Sequence, residues 1–238
     1  MEMNLCAHVT LLILFLLYVT GTSIAGARSF RKREESGAAP ESRIAKYKGS
    51  IRKTLIPAAL VLLIVLFSNI CFSDIGFRPV RLTYGLWFTM ITFILCGALF
   101  TVLLVQMIRS WVSEKYRQEI KKTSNKGVGL LLPRNHKERL WWVGCSVNAG
   151  ICEEIVCRGF LLYLLLAVFP DVSPAVVVAA ASAIFGFCHL YQGVSGVLQT
   201  AAGGALLFCL YLVTDSLAPA MLLHFFTDVA NIFLFSED

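Results

Sequence analysis

From Tyr84 to Ile108 the chain reads YGLWFTMITFILCGALFTVLLVQMI, without one charged side chain. No other feature limits the fold as strongly. An α-helix crosses a bilayer with roughly 20 mainly apolar residues, and this run is long enough. Runs of the same kind recur, and spans are expected at about 5–26, 54–73, 83–108, 140–169, 173–190, 193–213 and 217–235. The expected architecture is all-α: a polytopic transmembrane helix bundle of about seven spans, its polar core in the C-terminal four helices. Composition agrees. The chain is 57% hydrophobic and 15% charged, with a mean hydropathy of +0.72, whereas a soluble domain carries about 25% charged residues.

The net charge of +6 invites a nucleic-acid reading until the charges are located. Nine of the 21 Lys and Arg residues fall between Arg28 and Lys53, and nine more between Arg109 and Arg139. Arg78 and Arg81 lie in a short loop, and only Arg158 sits inside an apolar segment. Basic loops between apolar spans are the positive-inside pattern. The expected partner is therefore the lipid bilayer, with no nucleic acid. Both basic regions are placed inside, the N-terminus outside and, with seven spans, the C-terminus inside. The chain divides into N-terminal helices with basic loops, 1–139, and a denser unit, 140–238.

Segment 5–26 is read as a retained helix, because no Lys or Arg precedes its apolar core and a signal peptide needs a positive start. The linker 27–53 mixes Gly, Ser, Pro and both charge signs, and is expected to be flexible. In RSWVSEKYRQEIKK, Trp111, Tyr116 and Ile120 fit either an interfacial amphipathic helix or a solvated loop. The eight cysteines all lie in apolar stretches and form no Cys-x-x-Cys pair, so they read as small packing residues. Cys152 and Cys188 flank polar positions, which leaves a cysteine nucleophile as a minor alternative.

The stretch ICEEIVCRGFLLYLLLAVF carries Glu153, Glu154 and Arg158 where lipid is expected. Each ionisable side chain costs about 2.5–3.5 kcal/mol at a helix centre on insertion scales. Two more apolar segments repeat the oddity: AIFGFCHL carries His189, and MLLHFFTDVANIF carries His224, Asp228 and Asn231. In an α-helix, residues four apart lie about 40° apart around the axis. Glu154 and Arg158 can therefore pair, while Glu153, about 100° away, has no local partner. His224, Asp228 and Asn231 form one polar stripe. The expectation is a polar pocket lined by Glu153, His189, His224 and either Asn231 or Asp228. Phe185 shares a face with His189 and is read as packing.

These residues spell three motifs in order: Glu153-Glu154-x-x-x-Arg158, Phe185-x-x-x-His189 and His224-x-x-x-Asp228. Their order and spacing resemble the CAAX-protease and bacteriocin-processing (CPBP, or Abi) family of intramembrane proteases, over about residues 140–235. The first 139 residues carry no motif of that family. The resemblance implies an all-helical membrane endopeptidase in which Glu153 activates water and Glu154 and Arg158 support it. His189, His224 and position 228 would then hold the carbonyl or oxyanion. The family often has Asn where this chain has Asp228, so Asn231 is the alternative donor, with Asp228 orienting His224. Cys157 stands where the family has Phe. No metal or other cofactor is expected. A zinc site of Glu153, His189 and His224 is the alternative, although no His-Glu-x-x-His pattern occurs.

The expected substrate is a membrane-anchored or lipidated protein, a peptide precursor, or a protein bearing a sorting signal. Two other classes compete. A non-catalytic immunity or scaffold protein would tend to lose Glu153 or a histidine, and both are present. A transporter would show repeated halves with broken helices in matching positions, and no such repeat is visible. A bacterial inner membrane is the expected location, with an endomembrane as the second reading.

Overall fold

The computed structural model describes residues 5–36, 43–123 and 132–235. Among them the chain is helical, with no strand. The helices are α1 Leu5–Ser36, α2 Arg43–Phe67, α3 Leu86–Val112, α4 Glu114–Thr123, α5 His136–Glu154, α6 Leu162–Val168, α7 Pro174–Cys188, α8 Gly193–Thr214 and α9 Leu217–Phe235. A π-helical segment, Ile155–Leu161, joins α5 to α6, and a 3₁₀ turn, Leu190–Gln192, joins α7 to α8. Four stretches are long and apolar enough to cross a membrane: Leu5–Ser29, Arg43–Phe67, Leu86–Val112 and Leu190–Thr214. Pro174–Cys188 and Leu217–Ile232 are shorter apolar helices. The chain is an integral membrane protein.

Several expected boundaries shift, each for a local reason. Most of the linker expected to be flexible is helical, because α1 continues to Ser36 and α2 starts at Arg43; residues 37–42 lie outside those described. Charged residues such as Lys46 and Lys48 are good helix formers when their ends reach water. The loop between α2 and α3 is longer than expected. It runs from residue 68 to 85 and is tied to the α8–α9 turn by Arg81 N–H to Thr214 O at 2.8 Å and Ser216 Oγ–H to Arg78 O at 2.7 Å. Arg78 also pairs with Asp215 at 2.9 Å, and Asp215 ends α8 in the left-handed conformation at φ 53°. The long C-terminal segment begins at His136 instead of 140. Asn135 Oδ1 accepts from Glu138 N–H at 2.9 Å, and Glu138 Oε2 accepts from Arg134 N–H at 2.8 Å, a reciprocal helix cap. In the second basic region, α4 is a separate short helix, and Arg109 stacks on the Tyr116 ring at 4.1 Å.

Contacts fix the packing order. α2 lies along α5, α9 packs against α5, α3 and α8, and α7 packs against α8. α1 covers α6, the 3₁₀ turn and α7. The α2–α5 pair is parallel: Arg43 reaches Glu138 at 3.9 Å, Tyr47 meets the Trp142 ring edge-on, and Thr54 hydrogen-bonds Asn148. The starts of α2 and α5 therefore lie side by side.

Glycines set the closest approaches. A Cβ at Gly186 would stand 2.7 Å from Val197 O and 2.8 Å from Ala201 Cβ, so α7 and α8 touch there backbone to backbone. A Cβ at Gly159, within the π segment, would stand 2.7 Å from Ile75 O. The main apolar core forms around this segment, with Phe160, Leu161, Leu164, Phe208, Ile75 and Leu217 buried.

Candidate functional site

Glu154 and Arg158 sit at the centre of the bundle, both 0% exposed. Glu154 closes α5, and Arg158 lies in the π segment that follows. The i,i+4 pair expected from α-helical geometry survives the change of helix type: Arg158 Nη1 donates to Glu154 Oε1 at 2.9 Å. Burying two such charges is costly unless their hydrogen-bonding groups are matched. Arg158 Nη2 donates to Gly204 O at 3.2 Å. The guanidinium carbon lies 4.2 Å from the centre of the Phe185 ring and 4.6 Å from that of Phe208. Phe185 is thus more than packing: its ring covers the buried cation. Gly204 leaves room for this, since a Cβ there would stand 2.8 Å from Phe185 Cδ1 and 3.4 Å from Arg158 Nη2.

The same Glu154 oxygen lies 2.7 Å from His224 Nδ1. A carboxylate only accepts, so Nδ1–H donates and Nε2 points the other way. Nε2 stands 3.9 Å from Glu153 Oε2 and 3.8 Å from Asp228 Oδ2. Glu154 holds the Nδ1 side of the His224 ring, while Asp228 faces Nε2 together with Glu153. Asn231 is not aimed at the site, because its amide donates to Thr227 O at 3.2 Å and Asp228 O at 3.3 Å along its own helix. Trp142 Nε1–H donates to Asp228 O at 3.0 Å and ties α9 to α5.

His189 caps α7, where the chain turns into the 3₁₀ segment. Its Nδ1 lies 3.0 Å from Phe185 O. That carbonyl also only accepts, so Nδ1–H donates and Nε2 is left free for chemistry. The Phe185 ring stands between the two histidines, 4.9 Å from His189 and 6.3 Å from His224, centre to centre.

A cavity of about 450 Å³ opens onto Glu153 and His189. The structure brings the first and second motifs together at its wall; the third reaches Glu153 from behind, through His224. Sequence reasoning missed the other walls. Tyr18, Thr22, Ser23, Gly26 and Ser29 of α1 face the cavity, as do Ser50, Lys53, Thr54 and Pro57 of α2. Tyr191 lines it beside His189. The α1 and α2 residues recur every three or four positions, so each set is one helix face. That periodicity was present in the sequence but hidden within evenly apolar or basic runs. Cys152, Cys157 and Cys188 also line the cavity, and the Cys152 thiol donates to Asn148 Oδ1 at 3.5 Å, not to a histidine.

Among the described residues no three His, Cys, Asp or Glu side chains are gathered closely enough to hold a metal ion.

Residues 135–230 match the family described as type II CAAX prenyl endopeptidase, Rce1-like. No curated protein and no solved structure matches the chain.

Proposed function

Because residues 135–230 match the family of Rce1-like type II CAAX prenyl endopeptidases, we propose that the chain hydrolyses a peptide bond of a membrane-associated, lipidated protein inside the cavity that Glu153 lines. The observation that carries this reading is the arrangement around His224: one ring nitrogen is held by the buried Glu154, and the other faces Glu153 and Asp228.

The chemistry follows from those positions. Glu153 takes a proton from water, and the oxygen attacks the scissile carbonyl carbon. The C=O electrons move onto oxygen, where His224 and His189, each in the imidazolium form with a proton on both ring nitrogens, donate hydrogen bonds from their Nε2 atoms. The intermediate collapses, the C–N bond breaks, and the leaving amine takes the proton from Glu153. Positioned proton transfer contributes about 10²–10⁴-fold in rate, and each oxyanion donor about 3–4 kcal/mol. Arg158 balances the charge of Glu154, which leaves Glu153 as the carboxylate facing the cavity. No step is assigned to a metal. About seven helices cross the membrane in this reading, with both basic regions inside, in a bacterial inner membrane or an endomembrane.

The test is cleavage of an internally quenched S-prenyl-cysteine peptide by the full chain in lipid nanodiscs. Glu153→Gln is expected to lower kcat by about 10²–10⁴-fold with the melting temperature unchanged. Wild-type turnover by a folded Glu153→Gln protein would sink the proposal. Strong chelator is expected to leave the rate unchanged. Loss of activity that zinc restores would replace the metal-free route with a metal-dependent one.

A further inference from the structure

A second cavity, of about 340 Å³, shares no lining residue with the one that Glu153 faces. α3 and α7 each pack against α8 or its neighbours, and this cavity is a groove between them. Cys209 and Leu212 of α8 form its floor, with Phe88 and the preceding Tyr84 on one wall and Ala175 and Val178 of α7 on the other. A different face of α8 serves the polar site, since Gly204 O accepts from Arg158 and the Phe208 ring lies against its guanidinium. The volume is within the range of small-molecule sites, roughly 300–1,000 Å³. The lining side chains are apolar apart from the Tyr84 hydroxyl and the Cys209 thiol.

What borders the groove limits its occupant. The segment before α3 is laid against the end of α8. Arg81 N–H donates to Thr214 O at 2.8 Å, Thr83 N–H to Val213 O at 3.3 Å, and Thr83 Oγ–H to Leu212 O at 2.9 Å. Arg81 is thus anchored two residues beyond Leu212, at the helix end of the groove. Of the two arginines in this segment, Arg78 pairs with Asp215 at 2.9 Å. The Arg81 side chain has no ion-pair or hydrogen-bond partner among the described residues, and it is exposed. Trp87, at the start of α3, is 76% exposed. An exposed Trp beside Tyr84 and Arg81 marks the level where hydrocarbon gives way to headgroups. From Thr214 to Cys209 is about 7.5 Å along α8, at roughly 1.5 Å per residue. The groove therefore runs from the headgroup level into the hydrocarbon, with an unpaired guanidinium at its polar end. Guanidinium suits phosphate, because its parallel N–H groups bind two oxygens at once. The matching ligand carries a phosphate above an alkyl chain.

We propose that this groove binds a membrane glycerophospholipid, one acyl chain lying between α3 and α7 and the phosphate resting on Arg81. The site stands apart from the proteolytic reading and does not depend on it.

Two measurements on the full chain test it. In nanodiscs, a phosphatidylcholine with a diazirine in one acyl chain is photolysed and the labelled peptides are read by mass spectrometry. Labelling is expected to concentrate on residues 84–88, 174–178 and 209–212. In nonionic detergent, native mass spectrometry gives Kd for dioleoyl phosphatidylcholine and for dioleoylglycerol, which has the same chains without the phosphate. The phospholipid is expected to bind about tenfold tighter, the worth of one charge-assisted contact at a partly hydrated site. Arg81→Gln is expected to remove that difference and Arg81→Lys to keep most of it. Ala175→Phe, at an exposed position, is expected to fill the groove and abolish the concentrated labelling with Arg81 intact.

Labelling spread evenly over the exposed face of α3 would mean ordinary bilayer contact and would overturn the proposal. Equal binding of the phospholipid and dioleoylglycerol by the unaltered protein would do the same, as would Arg81→Gln with the phosphate preference unchanged. Displacement of the labelled lipid from these three segments by S-farnesyl-cysteine methyl ester, but not by dioleoyl phosphatidylcholine, would give the groove to an isoprenoid chain instead.

Discussion

Three side chains of one polar stripe make separate contacts in the structure. His224 is locked through Nδ1 by Glu154 at 2.7 Å, Asp228 faces Nε2 at 3.8 Å, and Asn231 is spent on its own backbone. Asp228→Asn keeps an acceptor and adds a donor toward the same nitrogen. It is expected to leave turnover within a few-fold of wild type while changing its pH profile, because one carboxylate leaves the group around His224. Asn231→Ala removes only amide bonds to adjacent carbonyls and is expected to change neither activity nor folding by much, within about 0.5 kcal/mol in stability. Loss of activity in Asn231→Ala with Asp228→Asn unaffected would reverse the assignment. The sequence showed the stripe and the Glu154–Arg158 pair, because both follow from residues on one helix. It could not show that Glu154 would hold His224, since that bond joins residues 154 and 224, from two helices. Nor could it show Phe185 over the guanidinium. Contacts between elements depend on how helices cross, and periodicity within one helix is silent on that.

Among the helices, the glycine contacts carry the sharpest expectation. Gly186 and Gly159 each leave 2.7 Å between a would-be Cβ and a backbone oxygen of a neighbouring segment. Backbone cannot swing aside as a side chain can, so alanine at either position is expected to cost about 1–3 kcal/mol. Gly203 is the matched control: no atom lies within 4 Å of its added Cβ, so alanine there is expected to be neutral or stabilising. Melting temperatures of the three variants in the same detergent check this; equal values for all three would refute the close approaches. The π segment is the element least visible beforehand. Nothing in IVCRGFL announces a wider turn, and an ordinary helix was the natural expectation. The ends of the whole run from α5 to α6 were better marked, with the Asn135–Glu138 cap at the start of α5 and Pro170 beyond α6.

Over the whole molecule, the parallel course of α2 and α5 puts the starts of both helices at one level. Lys46 and Lys137 should therefore label from the same face of sealed vesicles with a membrane-impermeant amine reagent, as read by mass spectrometry. Labelling of one from each face would contradict the packing. The cavity is a property of the whole chain: Glu153 and His189 come from the segment that matches a family, while Tyr18, Thr22, Ser23, Ser50 and Lys53 come from helices before it. In the proposed reaction, the bond-breaking groups and the surfaces that meet the rest of the substrate are thus written in different stretches of sequence. A change on one face of α1 or α2 would then reshape what is admitted while the proton transfer proposed for Glu153 stays as it was. Two such proteins could share every motif residue and still have no substrate in common.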